Sequence, residues 1–188
     1  MKSLLLMLLF FCLPPLMARE ITVTSSNYKE ALSKENFIKF DMESTKIGFI
    51  TDDFTGVARQ FRVSFDEQKN LISKIVVVVP IKGLDTDINM RNEKMWETCF
   101  SATKYPELKV DLPGPVTLQE GVSNLEGYIQ IRGLFYPISI KLELKKREGG
   151  MSATGTAHVS LKQTNIPDPS IFIASVRDRI DLSFHLNF

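Results

Sequence analysis

The sequence predicts an all-β fold: an antiparallel eight-stranded barrel with one short amphipathic helix inserted mid-chain. Three observations carry that expectation. Apolar residues alternate with period two in about eight runs, separated by short turn signals. Residues 85–106 alone switch to a period near 3.6. Strands that bury one face leave edges exposed, and closing the sheet on itself removes them.

Composition sets the bounds. At 188 residues, 24 % charged and 44 % hydrophobic, the chain reads as one globular domain. A chain of this length buries about 68–70 % of its unfolded surface, enough to fold without disulfides or a structural metal. The formal charge is +1 and no basic stripe is present, so no nucleic-acid partner is expected.

The first 18 residues read as a signal peptide. Lys2 supplies the positive start, residues 4–13 form a compact apolar run, and Ala18 is a small residue suited to cleavage. That run is too short for a membrane-spanning helix, which needs about 20 residues, and no membrane span is expected once it is removed. Cys12 lies inside the apolar run behind Phe10 and Phe11, a poor context for lipidation. Cleavage after Ala18 removes Lys2 from the 23 basic residues, leaving 22 against 22 acidic, with Cys99 the single cysteine. The expected location is periplasmic or secreted. A lone cysteine makes no internal disulfide, so Cys99 reads as a small buried hydrophobe.

Residues 19–36 form a polar lead-in. Asn27 and Glu30 have the spacing to cap a short helix to about Lys34, with a flexible segment as the alternative. The barrel domain is placed at 37–188. Residues 37–42 alternate weakly, 43–45 read as a turn, and KIGFIT (46–51) as a short strand before an interruption at Asp52–Asp53. From Phe54 a strand follows with Phe61, Val63 and Phe65 on one face, then a turn at 66–70. Residues 71–81 are too β-branched to prefer helix.

In the helical stretch, counted from Asn89 as N-cap, Met95, Trp96, Cys99 and Phe100 share one face; Glu93, Lys94, Glu97 and Thr98 share the other. The apolar stripe either plugs the barrel core or lines a ligand cavity, and the two are compatible. In the second half, residues 138–145 are the clearest half-buried strand, with Ile138, Ile140, Leu142 and Leu144 alternating with polar residues. Residues 133–137 read as a bend leading into it. A Gly149–Gly150 turn leads to a strand with Ala153, Gly155, Ala157 and Val159 on one face. The last strand shows Ile180, Leu182, Phe184, Leu186 and Phe188 on one face.

These stretches resemble the YceI family, bacterial periplasmic proteins that bind polyisoprenoid chains in a lipocalin-like barrel. Residues 85–106 are similar to the family's loop and its Arg-Asp-x-His-Leu string: Arg91 matches the Arg, Met95 the Leu, and Tyr105–Pro106 the aromatic-Pro step. Cys99–Phe100 stands where the family has an aromatic pair, Asn92 where it usually has Asp, and Lys94 where it usually has His. GYIQIRGLFYPISIKLEL (127–144) and IPDPSIFIASVRDRIDLSF (166–184) resemble the family's later motifs. The only Trp is Trp96, so the Gly-x-Trp start of a classical lipocalin is lacking.

Catalytic chemistry is scarce. No Cys/His cluster has zinc spacing, no Gly-x-Ser-x-Gly elbow occurs, and no Gly-rich phosphate loop is present. No enzymatic activity is expected, and His158 and His185 fall on polar faces of their strands. Small inward residues on one strand leave volume that bulky neighbours need not fill. Burying one five-carbon prenyl unit there is worth roughly 3–4 kcal/mol before ordering costs.

With the resemblance, these features predict a carrier or sequestering protein for an amphiphilic lipid with a long apolar tail, a polyisoprenoid or a quinone-like lipid. Met95, Trp96, Phe100, Phe135 and Tyr136 are the expected tail contacts, and Arg91 the head-group contact. The alternative for Arg91 is an ion pair with Asp85 or Asp87. No cofactor is expected beyond such a bound isoprenoid lipid or quinone, and a homodimer is left open. The competing class is a packed barrel without ligand, acting through loops such as Ile171–Phe172–Ile173.

Overall fold

The computed structural model describes residues 17–46, 50–170 and 174–188. The KIGFIT strand and the Ile171–Phe172–Ile173 patch therefore fall partly or wholly outside the described residues, as does the expected leader up to residue 16. One antiparallel sheet dominates the described residues. Its strands are β1 (Met17–Thr24), β2 (Phe37–Lys46), β3 (Ile50–Ala58), β4 (Gln60–Gln68), β5 (Leu71–Pro80), β6 (Leu84–Asp85) and β7 (Glu107–Leu112). They continue as β8 (Val116–Thr117), β9 (Gly121–Ile131), β10 (Leu134–Arg147), β11 (Gly150–Val159), β12 (Ala174–Val176) and β13 (Ile180–Asn187).

Thirteen hydrogen-bonded strands thus replace the eight expected, because short pairings such as β6, β8 and β12 count separately. The wall keeps the expected number in another sense. Ladders run β4-β5-β7-β9-β10-β11-β13-β2-β3, and β3 joins β4 through Arg59 alone. The sheet curls until it meets the segment it began from. A bulge between Ser64 and Asp66 adds local coil. The result is a strongly curled half-barrel in which, among the described residues, β1 has no ladder on the side away from β4 and β13 pairs with β2 only as far as His185.

Two stretches differ from their sequence reading. Residues 43–45 do not turn, and Asp52–Asp53 do not interrupt: β2 and β3 run through both, pairing Glu43 with Asp53 and Ser44 with Asp52. Ladder bonds to a neighbouring strand outweigh the low strand preference of acidic residues. Of the expected bend at 133–137, residues 134–137 are strand. Arg132 and Gly133 alone make the turn, with φ of 51° and 80°, and Ile131 faces Leu134. Two consecutive positive φ values define the two-residue turn whose twist matches a hairpin.

Helix α1 (Tyr28–Ser33) confirms the Asn27 cap, whose side chain accepts from the Glu30 amide at 3.0 Å. Glu30 in turn accepts from the Ser26 amide and hydroxyl at 2.8 and 2.6 Å. These bonds from Ser26, with Lys34 beside it, hold the Glu30 carboxyl down to about 2. Helix α2 (Asn89–Lys94) is followed by one π-helical turn (Met95–Cys99). Ile88, not Asn89, is the N-cap residue, and it makes no side-chain cap bond. No helix among the described residues is long and apolar enough to cross a membrane.

Candidate functional site

The inward faces of the sheet pack into one apolar cluster without filling the space between them. They enclose a cavity of about 200 Å³ whose wall exposes only apolar surface. At one end it is closed by the π turn, which presents Met95 and, just beyond it, Phe100, with Leu84 and Ile131 beside them. At the other end Phe65, Leu144, Leu186 and Phe188 line it, Phe65 and Phe188 packing edge to face at 5.6 Å. An apolar void of this kind excludes water and holds apolar guests; a cavity of about 150 Å³ takes a benzene ring.

Glycine shapes the cavity less simply than expected. Gly155 does not merely leave volume: a Cβ there would lie 2.2 Å from Cζ of Phe184, its cross-strand partner. The Phe184 ring occupies the space that a side chain at 155 would need. Phe40 does the same at Gly56, at 2.0 Å. Ala153 and Ala157 do line the cavity.

Of the six residues expected to bind ligand, Met95 and Phe100 line the cavity. The other four are elsewhere. Phe135 is 64 % exposed on the outer surface, because its register opposite Gln130 places it with Ser139 and Lys141 rather than with Ile138. Tyr136 is half-buried against the core, and its hydroxyl accepts from Asn165 Nδ2 at 3.2 Å. Trp96 packs on the core from outside the cavity and donates from Nε1 to the Leu84 carbonyl at 2.9 Å, closing the helix onto β6.

Arg91 makes neither the cavity contact nor the ion pair. Its guanidinium lies 3.9 Å from the centre of the Phe54 ring, and burial lowers its pKa. Asp85 is instead engaged by Arg59 Nε at 3.3 Å and by Asn92 Nδ2 at 2.8 Å. Asn92 is buried, and its Oδ1 accepts from the Thr86 amide and hydroxyl at 2.8 and 2.7 Å. An Asp there would retain the acceptor but lose the donor, and set two carboxylates face to face. Lys94 reaches the Pro169 and Ser170 carbonyls at 2.6 and 3.2 Å, tying α2 to the loop before β12. The two departures from the family string thus serve local structure.

Cys99 is buried as expected, and burial pushes its thiol pKa up, the opposite of a reactive thiolate. His158 and His185 lie on the outer surface, the first against Asp181 and Arg179, the second against Thr154 and Phe37. No group of three or more His, Cys, Asp or Glu residues able to hold a metal occurs among the described residues.

Comparison with known proteins supplies the lineage. The fold is similar to that of BcnA from Burkholderia cenocepacia, at TM-score 0.65 and 14 % identity, over 80 % of this chain and 96 % of that one. A polyisoprenoid-binding domain from Saccharophagus degradans, implicated in plant cell wall breakdown, matches at TM-score 0.62 and 14 % identity, over 81 % and 92 %. A mutant YceI protein of Campylobacter jejuni with a monobromobimane guest matches at 0.58 and 15 %, over 71 % and 82 %. No curated protein matches the sequence. The family model for the YceI-like domain covers residues 33–188, and the chain belongs to that family.

Proposed function

We propose that this protein binds an amphiphile with a long apolar tail, of the polyisoprenoid or quinone-like class, and carries or sequesters it outside the cytoplasm. The observation that carries the reading is the unfilled, wholly apolar cavity. A void of about 200 Å³ forfeits roughly 5 kcal/mol of stability at ~24 cal/mol per Å³, which an apolar guest can restore. The Saccharophagus fold neighbour, described as a polyisoprenoid-binding domain, supports the ligand class. Lys39 and Ser183 are the polar residues along the cavity and neither exposes polar surface into it, so the reading is of a binding protein rather than an enzyme. The volume left unfilled weighs against the ligand-free packed barrel.

Export is part of the proposal. A leader removed after Ala18 leaves residues 19–24 of β1 to pair with β4. Native mass spectrometry of protein purified from its own compartment, before and after solvent extraction, tests the reading. A co-purifying apolar lipid released by the solvent is expected; protein that arrives bare, and that takes up no prenyl alcohol when one is offered, would contradict it.

A further inference from the structure

A wall without polar surface leaves a ligand's head group to be met at a mouth. The end under α2 is closed: Leu84, Met95, Phe100 and Ile131 are all buried. The side between β1 and β13 is not. Among the described residues β1 pairs with β4 alone, and β13 pairs with β2 only as far as His185. Ile21, Ile38, Phe184 and Phe188, the cavity residues flanking this gap, are half-buried rather than buried.

Lys39 and Arg19 are cations near that gap: Lys39 is among the residues lining the cavity, its ammonium 4.1 Å from the Phe37 ring centre, and Arg19 is on β1. Ile21 lines the cavity and Val23 is buried; Arg19 continues their alternation toward the rim. Its cross-strand partner is Phe65, so the two side chains share a face, and the guanidinium lies 5.9 Å from the Phe65 ring centre. Among the described residues its one ion pair is from Nη1 to Glu67 Oε2 at 2.8 Å, and the side chain stays 46 % exposed. A guanidinium carries five N–H donors in a planar fork, so most remain for a second anion. Arg62, nearby, is opposite Thr22 on the outer face beside Glu20. Arg19 also precedes residues 33–188, the span matched by the family model.

We propose that the seam between β1 and β13 is the mouth of the cavity, and that Arg19 there receives the anionic head group, phosphate or carboxylate, of the amphiphile whose tail lies within. The inference rests on the reading of a tail in the cavity. Equilibrium binding of farnesyl phosphate, farnesoate and farnesol to the solvent-extracted protein tests it. At least one anion is expected to bind about tenfold more tightly than the alcohol. Arg19→Gln should reduce that ratio to about one, Glu67→Gln should raise it, and Arg62→Gln should leave it in place. If all three probes fail to bind, the cavity reading itself fails. If farnesol binds but no anion is preferred, or the preference survives Arg19→Gln, the cavity reading stands and the assignment to Arg19 is overturned.

Discussion

Gly155 sets the shape of the cavity through a hydrogen atom. With Cζ of Phe184 only 2.2 Å from where a Cβ would stand, Gly155→Ala must move the ring off the wall and into the void. Overpacking of this kind costs about 1–3 kcal/mol. The expected outcome is a lower denaturation midpoint together with weaker uptake of a prenyl alcohol, read from the same preparation. Asn92→Asp tests the buried network under α2. It removes the Nδ2 donor to Asp85 and should cost about 1–3 kcal/mol in equilibrium unfolding at neutral pH. Single residues also show where sequence reading stopped short. Phe135 has the odd register of Ser139 and Lys141, so its outward placement was legible from period two; reading the stretch as a bend concealed it. Arg19 was not legible. Its position on the cavity face depends on pairing with a strand more than forty residues away.

At the scale of elements, the amphipathic stripe of residues 89–100 was readable, and its buried members are Met95, Cys99 and Phe100. Its start was not, because the helix is secured by Asn92 and Thr86 rather than by a cap at Asn89. Helix α1 offers a pH test with a definite sign. Glu30 titrates at about 2 in the folded protein against an ordinary 4.5, so its contribution is present above about 4.5 and disappears as pH falls through about 2. Glu30→Gln should therefore flatten the pH dependence of stability within that window, as followed by unfolding midpoints at each pH. The turn at Arg132–Gly133 makes a further test. Gly133→Val places a β-branched residue at φ 80°, which should destabilise the β9–β10 hairpin by about 1–3 kcal/mol, measurable by unfolding and by faster amide exchange near the turn.

For the whole molecule, alternation specified a curled antiparallel sheet, and turn chemistry specified the β4–β5 and β10–β11 hairpins but misplaced β2–β3 and β9–β10. The strand count was harder, because β3 and β4 are one run of sequence divided by hydrogen bonding at Arg59. Whether the interior is filled lies beyond alternation altogether. The inward residues of a packed barrel and of a hollow one are equally apolar, and only the curvature of the wall separates them. That separation is about 200 Å³ here, and it is the basis of the function proposed. The most direct measurement is equilibrium unfolding of solvent-extracted protein with and without farnesol. Occupancy at one hundred times the dissociation constant should raise the unfolding free energy by about 2.7 kcal/mol, with a smaller gain in Gly155→Ala at the same concentration. An unfolding free energy that does not respond to farnesol at any soluble concentration would contradict the account.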